Sequence, residues 1–173
     1  MILTGSEILK NHEEKKIVIH PFNENQLNPN SYNFTLGKKL LVYNDYVLDA
    51  KKENSFRELE IPEEGLTLAP GTVYLGHTEE VIGSEYFVPV IRGRSSIGRL
   101  GLFINITADL IDLGAIGQVT LQLNAVQPVT IYAGMQIGQV TFWAVSGDVE
   151  RYKGRYQNSI GPVASKMYQD FQK

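Results

Sequence analysis

The sequence predicts an all-β fold, a sandwich or barrel assembled from short strands. Two observations lead to this prediction. Short runs rich in Val, Ile, Tyr, Phe and Thr recur along the chain with turn residues between them. Helical periodicity nearly disappears after Lys16, so the alternation of strands and helices that produces a parallel sheet is missing.

The first predicted element is a short N-terminal helix. Thr4 can cap it, and Glu7 stands three residues later, as a capping box requires. Ile8 and Leu9 supply an apolar side. This is the one helix that we expect.

The segments that follow have the composition of β-strands. In chain order they are YNFTLG, KLLVYN, YVLDA, TVYLGHT, YFVPVIR, GLFINITA, GQVTLQLNAV, PVTIYAG and QIGQVTFWAV. GQVTLQLNAV alternates between apolar and polar side chains, with Val119, Leu121 and Leu123 on one face and Thr120, Gln122 and Asn124 on the other. One face of this strand is therefore predicted to be core and the other polar.

The C-terminal residues 152–173 differ in kind from the strands. They are basic and aromatic, poor in core-forming aliphatic side chains, and broken by Gly161 and Pro162. We expect a tail that orders on demand. With no tandem repeat, low-complexity tract or linker elsewhere, residues 1–173 are predicted to form a single domain.

Composition excludes some classes of function. Sixteen Lys and Arg against nineteen Asp and Glu give a formal net charge of -3, so no bulk positive field exists to attract nucleic acid or an anionic membrane. The chain has no cysteine and only three scattered histidines, and this argues against a zinc site. The N-terminus shows no signal peptide or membrane span, so we expect a cytoplasmic protein, in the host cytoplasm if it is viral.

The stretch RGRSSIGRLGLF places three arginines and two serines between Arg92 and Arg99. Arg94, Ser95, Ser96 and Arg99 combine guanidinium donors, hydroxyls and backbone amides, a set that suits phosphate oxygens. A surface turn whose arginines pair with local carboxylates explains the same residues. This stretch alone leaves both interpretations open.

The rest of the chain favours phosphate. In order, NPNSYNFTLG, GRSSIGRLGLF, TADLIDLGAIGQVTLQL, PVTIYAGMQIGQVTF and GRYQNSIGPVAS resemble motifs of the dCTP deaminase family, relatives of the trimeric dUTPases. The resemblance spans nearly the whole chain. It implies a distorted β-barrel or jelly roll of the dUTPase type, a homotrimer with active sites between subunits, and a C-terminal lid. It also implies magnesium carried with the nucleotide triphosphate and no zinc.

The resemblance also assigns roles to single residues. Phosphate contacts fall on Arg94, Ser95, Ser96 and Gln139, and a supporting arginine falls on Arg99.

On the base and sugar side, the backbone of Ala108 is expected to hold the base and a water. Asp112 is expected to read the deoxyribose hydroxyl and, as in the dUTPase relatives, to take part in activating water. Asp112 is also explained as a turn residue before Gly114. Arg155, Tyr156 and Gln157 match the basic and aromatic lid positions.

One departure from the family concerns the proton shuttle. Deamination without zinc needs a base to take a proton from the water that attacks C4 of cytosine, and an acid to return it to the leaving amine. In the family a glutamate does both, and its position here is Gln122. A glutamine amide has a similar shape but does not shuttle protons at neutral pH. Loss of a shuttle costs about 10²–10⁴-fold in rate.

Three further positions depart from the family. Asp109 adds a carboxylate where relatives commonly have Gly or His, and it would repel a triphosphate unless it is paired or points away. Ala115 replaces an aromatic side chain that packs on the sugar, which leaves room. Ser159 stands where lid glutamines are usual.

The sequence therefore predicts a protein that binds a pyrimidine nucleoside triphosphate and leaves its activity open. The first hypothesis is deamination of dCTP to dUTP, continuing to dUMP. The second is a dUTP diphosphatase in which Asp112 activates water. The third is a catalytically silent protein that binds or sequesters its nucleotide.

Overall fold

The computed structural model of the chain describes residues 1–172. It begins with helix α1 (Gly5–Glu13), capped by Thr4, whose Oγ1 accepts a hydrogen bond from the Glu7 N–H at 3.4 Å. The Glu7 carboxylate accepts from Asn11 one turn later. The predicted helix and its N-cap are confirmed.

The rest of the described chain is mostly strand. The strands are β1 (Ile17–His20), β2 (Leu27–Asn28), β3 (Ser31–Thr35), β4 (Lys39–Tyr43), β5 (Phe56–Glu60), β6 (Leu66–Leu68), β7 (Val73–Ser84), β8 (Phe87–Gly93), β9 (Leu102–Phe103), β10 (Ile116–Ala125), β11 (Val129–Ile131) and β12 (Gln136–Ala144). Between β8 and β9 lies a single helical turn, α2 (Ser95–Gly98). Short 3-10 turns occur at Glu24–Gln26 and Met167–Phe171.

Two antiparallel sheets supply most of the core. One has the strand order β5-β4-β7-β10-β9, with β1 also paired to β7, and the other has the order β2-β3-β12-β8. A small β6-β11 pair lies apart from them. Fully buried side chains from both large sheets, among them Phe34, Leu121 and Phe142, belong to one hydrophobic cluster. The all-β prediction is confirmed.

Two predicted strands were wrong in whole or in part. YVLDA (46–50) is a loop, because Asp49 and Asn54 exchange hydrogen bonds across a turn instead of joining a ladder. GLFINITA (101–108) supplies only β9, and beyond it the Ile106 N–H donates to a side chain rather than to a neighbouring strand. Strands β1, β2, β5 and β6 were not predicted.

Strand β10 has the two faces that its alternation predicts. Leu121 and Leu123 are fully buried, whereas Thr120 and Gln122 are partly exposed. Its pairing with β7 shifts register between Gln118 and Thr120, which is a β-bulge. The Val119 N–H at the bulge donates to Thr78 Oγ1 at 2.9 Å, so the interrupted ladder leaves this donor satisfied.

The tail lies along β10. The Asn158 N–H donates to the Ile116 carbonyl at 2.9 Å, and the Gln118 N–H donates to the Ser159 carbonyl at 2.8 Å. These bonds resemble a short added strand and cover the edge of β10 that faces away from β7. In residues 1–172 no helix has the length and apolar character needed to cross a membrane.

Candidate functional site

A cavity of about 460 Å³ opens between β10 and the tail. The polar face of β10 forms its floor, and the loop from Ala108 to Ala115 forms one wall. Tyr152, Tyr156 and neighbouring tail residues form the opposite wall. The lining is mainly apolar with a few polar side chains, which is the usual character of a small-molecule site.

Six of the residues singled out by the resemblance line this cavity. They are Ala108, Asp112, Ala115, Gln122, Tyr156 and Ser159. They come from a loop, a strand and the tail, so only the folded chain brings them together.

The loop wall is held against β8. The Ile91 N–H donates to the Asp109 carbonyl at 2.8 Å, and the Ile111 N–H donates to the Pro89 carbonyl at 2.9 Å. The loop then turns, with Gly114 at φ +86° and the Ala115 N–H bonded to the Asp112 carbonyl at 3.0 Å. Asp112 is therefore both a turn residue and part of the cavity wall.

Gln122, on the cavity floor, is anchored by one hydrogen bond. Its Oε1 accepts a hydrogen bond from the Ile106 N–H at 3.2 Å. Since Ile106 follows β9 and Gln122 lies on β10, this bond ties the loop to the cavity floor.

The other polar side chains of the floor hold the tail. Gln118 Oε1 accepts from the Gly161 N–H at 2.6 Å while its Nε2 donates to the Glu79 carbonyl at 2.8 Å. Thr120 Oγ1 accepts from the Val163 N–H at 3.0 Å. Sequence reasoning missed this role, although the polar alternation of β10 marked the face on which it occurs.

Gln157 is a second attachment point. Its Nε2 donates to the Gly114 carbonyl at 2.8 Å, and its Oε1 accepts from the Ile116 N–H at 3.0 Å. The tail also passes close to Gly117, where a Cβ would lie 2.8 Å from the Ser159 nitrogen. Glycine at this position permits the close approach of the two backbones.

Three tyrosine hydroxyls accept hydrogen bonds from backbone N–H groups of the tail. Tyr152 Oη accepts from the Tyr156 N–H at 3.2 Å, and Tyr156 Oη accepts from the Lys166 N–H at 3.0 Å. Tyr43 on β4 accepts from the Ser165 N–H at 2.8 Å. The tyrosine hydroxyls thus fasten the tail as their rings line the cavity.

The Arg155 side chain contacts other residues of the tail rather than the cavity. Its guanidinium donates to the Asp170 carboxylate and to the Lys166 carbonyl, and it does not line the cavity. The hydrogen bond to Asp170 raises the pKa of this guanidinium above its ordinary value. Ser159, the lid position that departs from the family, donates its hydroxyl to the Tyr156 carbonyl at 2.6 Å.

The predicted phosphate residues form a second group, separate from the cavity lining. Its members are Arg94, Ser95, Ser96, Arg99 and Gln139. They lie where β8 leads into α2, and on the neighbouring strand β12.

Within this group several donors remain available. Arg94 precedes α2 and donates from Nη1 to the Gln136 carbonyl at 3.2 Å, while Ser95 and Ser96 are exposed in the first turn. Gln139 Oε1 accepts from the Ser31 hydroxyl at 3.0 Å, so its Nε2 faces away as a donor. The NPNSYNFTLG motif thus orients one of the predicted phosphate contacts.

The Asp109 carboxylate is paired. It lies 3.6 Å from the guanidinium of Arg92, and both side chains are partly solvent-exposed. This ion pair accounts for one of the arginines of RGRSSIGRLGLF as a partner of a local carboxylate. It also offsets the negative charge that Asp109 would otherwise present to a nucleotide.

Strand β7 also carries a buried carboxylate, Glu80. It is 2% exposed and accepts hydrogen bonds from the Thr35 N–H and hydroxyl and from Gln26 Nε2. Burial raises the pKa of this carboxyl above its ordinary value, and the hydrogen bonds oppose the rise only in part. His77, also on β7, is buried; its Nδ1 donates to the Thr78 carbonyl at 2.9 Å, and its buried Nε2 has no hydrogen-bond partner within residues 1–172.

Residues 1–172 contain no group of three or more His, Cys, Asp or Glu side chains arranged to hold a metal ion.

Known proteins resemble this chain in sequence and in fold. A family model described as dCTP deaminase-like matches residues 2–145. A protein of Hathewaya histolytica named dCTP deaminase, dUMP-forming, is 51% identical over 173 residues, covering 99% of this chain and 100% of its own. The protein of the same name from Clostridium acetobutylicum is 50% identical over 172 residues, covering 99% of each chain.

A solved structure shows the same fold. The crystal structure of 2'-deoxycytidine 5'-triphosphate deaminase from Agrobacterium tumefaciens superposes with a TM-score of 0.65 at 21% sequence identity. The match covers 82% of this chain and 47% of that chain, so the present chain spans about half of the solved protein's length.

Proposed function

This chain belongs to the dCTP deaminase-like family, and from that premise we propose that it binds a pyrimidine deoxynucleoside triphosphate with the base in the cavity above β10. The observation that carries the proposal is the meeting of Ala108, Asp112, Ala115 and Gln122 around that one cavity. These are the positions to which the resemblance assigns contacts with base and sugar.

The triphosphate would lie on the second group of residues. Arg94 supplies a guanidinium for bidentate contact with phosphate oxygens, Ser95 and Ser96 supply hydroxyls, and Gln139 supplies its Nε2. Magnesium enters as part of the nucleotide substrate, because phosphate oxygens and water provide most of the oxygen ligands that it prefers. Arg99 supports this group.

We further propose a homotrimer. The predicted phosphate-binding residues lie apart from the cavity on one chain, since none of Arg94, Ser95, Ser96 and Gln139 lines it. A neighbouring subunit whose phosphate-binding residues reach the cavity of this one would complete the site. That arrangement agrees with the intersubunit sites implied by the resemblance.

For chemistry, the lineage points to conversion of dCTP to dUTP and onward to dUMP, the product in the names of the relatives. In that reaction water attacks C4 of the base. The glutamate that exchanges protons with this water in the family corresponds to Gln122, so we place C4 of the base beside position 122. Gln122 does not exchange a proton with that water or with the leaving amine. We therefore propose that deamination is slower than in a glutamate-bearing protein by about 10²–10⁴-fold.

A second candidate is hydrolysis of dUTP to dUMP and diphosphate. Its supporting observation is Asp112, whose side chain lines the cavity and offers a carboxylate to orient water. This reaction does not use a proton shuttle at position 122. A third candidate, nucleotide binding without turnover, requires only the phosphate-binding residues and the cavity.

One experiment separates these candidates. Purified protein is incubated with dCTP and with dUTP, each with magnesium, and the products are resolved by chromatography while thermal shift reports binding. We expect stabilisation by nucleotide with little or no product from dCTP. Rapid formation of dUTP or dUMP from dCTP would show that another group replaces the glutamate. Conversion of dUTP alone identifies a diphosphatase, and absence of stabilisation by either nucleotide would overturn the proposal.

A further inference from the structure

The orientation of the Gln122 amide determines what it can offer a ligand. A backbone N–H only donates, so the atom that faces the Ile106 N–H at 3.2 Å is the carbonyl oxygen Oε1. The opposite amide orientation would set two donors against each other. Oε1 thus already accepts a hydrogen bond, and the remaining polar group of the amide is its NH₂ group.

This NH₂ group is an uncommitted donor at the cavity. Within the part of the chain that the structure describes, Gln122 Nε2 makes no hydrogen bond. The other amide of the cavity floor, Gln118, uses both its oxygen and its nitrogen to hold the tail and Glu79. Thr120 Oγ1 likewise accepts from the tail. Gln122 is therefore the side-chain amide left to read a ligand.

Cytosine and the other pyrimidines differ at this point. Cytosine carries an amino group on C4, which is a donor, whereas uracil and thymine carry a carbonyl oxygen there, which is an acceptor. An amide NH₂ facing a second NH₂ leaves both groups without a partner, and a C4 carbonyl accepts from it directly. The difference lies in a single hydrogen bond.

We propose that this site selects pyrimidine deoxynucleoside triphosphates with a carbonyl oxygen at C4, those of uracil or thymine, over dCTP. The inference rests on the proposed function, which sets C4 of the base against position 122. Gln122 then acts as a specificity-determining residue through Nε2. A glutamate at the same position, ionised at neutral pH, accepts instead of donating and favours the amino group of cytosine.

The test is a comparison of binding affinities by isothermal titration calorimetry. The probes are the α,β-imido analogues of dUTP and dCTP with magnesium, which resist cleavage between the first two phosphates. For the unchanged protein we expect the dUTP analogue to bind about tenfold more tightly, the scale of one hydrogen bond made or left unmade.

Two variants at position 122 sharpen the comparison. Gln122→Glu is expected to reverse the preference; because restored deamination would convert the dCTP analogue at C4, chromatography of the ligand after each titration checks that its base is unchanged. Gln122→Met, which keeps similar bulk without an amide, is expected to bind both analogues alike. Gln127→Glu is the matched control, since it makes the same charge change on an exposed turn outside the cavity and is expected to keep the original preference. Thermal melting identifies any variant that has lost its fold.

The outcomes separate this inference from its premise. Equal affinities in the unchanged protein, or tighter binding of the dCTP analogue, would overturn the selectivity and leave nucleotide binding in place. A preference for dUTP that survives in both position-122 variants would assign the selectivity to another residue. If neither analogue binds, the proposed function and this inference fail together.

Discussion

Gln157 in the tail donates a hydrogen bond from Nε2 to the carbonyl oxygen of Gly114 at 2.8 Å. With its Oε1 it also accepts from the Ile116 N–H, so one side-chain amide bridges the backbone on both sides of Ala115. Ala115 lines the cavity, and the bridge therefore couples the position of the tail to the shape of the cavity.

Replacing Gln157 with alanine is expected to release the tail without unfolding the two β-sheets. The variant leaves the Ile116 N–H and the Gly114 carbonyl without their side-chain partner, and we expect cleavage by trypsin at Lys153 or Arg155 to speed up several-fold while the melting temperature changes little. Gln169→Ala is the control, because that exposed side chain makes no hydrogen bond in residues 1–172. Equal cleavage rates in the two variants would contradict the role of Gln157.

Replacing Arg94 with alanine is expected to weaken binding of every nucleoside triphosphate by more than about 100-fold, since charge-assisted bidentate contacts to phosphate are lost. Calorimetry with the imido analogues measures this loss. Arg57→Ala, a matched removal of an exposed arginine on β5, is expected to bind normally. Retained binding in Arg94→Ala would show that the triphosphate lies elsewhere.

Replacing Gln122 with glutamate is expected to raise the rate of ammonia release from dCTP by about 10²-fold or more, because a carboxylate restores a proton shuttle at the cavity floor. A coupled ammonia assay measures the rate, and Gln127→Glu again supplies the control. No gain in Gln122→Glu would mean that a further departure from the family in the cavity lining, such as Ala115, has altered the cavity beyond what one carboxylate repairs.

Glu80 makes stability depend on pH. Burial raises its pKa in the folded protein above the ordinary value of 4.5. The folded chain therefore binds this proton more tightly than the unfolded chain. The contribution of Glu80 to stability is fully present below about pH 4.5 and is lost as the pH rises through the raised folded value.

Melting temperatures measured from pH 4.5 to neutrality test this expectation. Glu80→Gln, which never ionises, is expected to lose less stability across that range than the unchanged protein. Glu63→Gln, at an exposed position, is expected to follow the unchanged protein. Parallel curves for all three proteins would show that Glu80 does not titrate in this window.

Local patterns in the sequence predicted much of the fold. Thr4 caps α1 because a hydroxyl followed by helix-forming residues has few other local solutions. The alternation around Leu121 and Leu123 specified a strand with one buried face, since the period of two is a property of the strand itself. The loop at Asp49 was misread as a strand because its side-chain hydrogen bonds compete with the ladder.

The candidate site was predicted in part. The motifs named Asp112 and Gln122, and the fold brings both to one cavity. The attachment of the tail through Gln118 and Thr120 was not predicted, because a polar residue on the open face of a strand looks the same whether it faces water, a ligand or another segment.

By itself, then, the sequence determined the strand composition, the two faces of β10, the N-terminal helix and the family of the chain. Only the tertiary structure decided the partners of its polar groups. Arg92 meets Asp109, and Tyr43 meets Ser165 across 122 positions of sequence. Such contacts follow from strand pairing and chain closure over long separations, and no local periodicity encodes them. The direction of the Gln122 amide belongs to the same class, since a backbone N–H on a separate loop sets it.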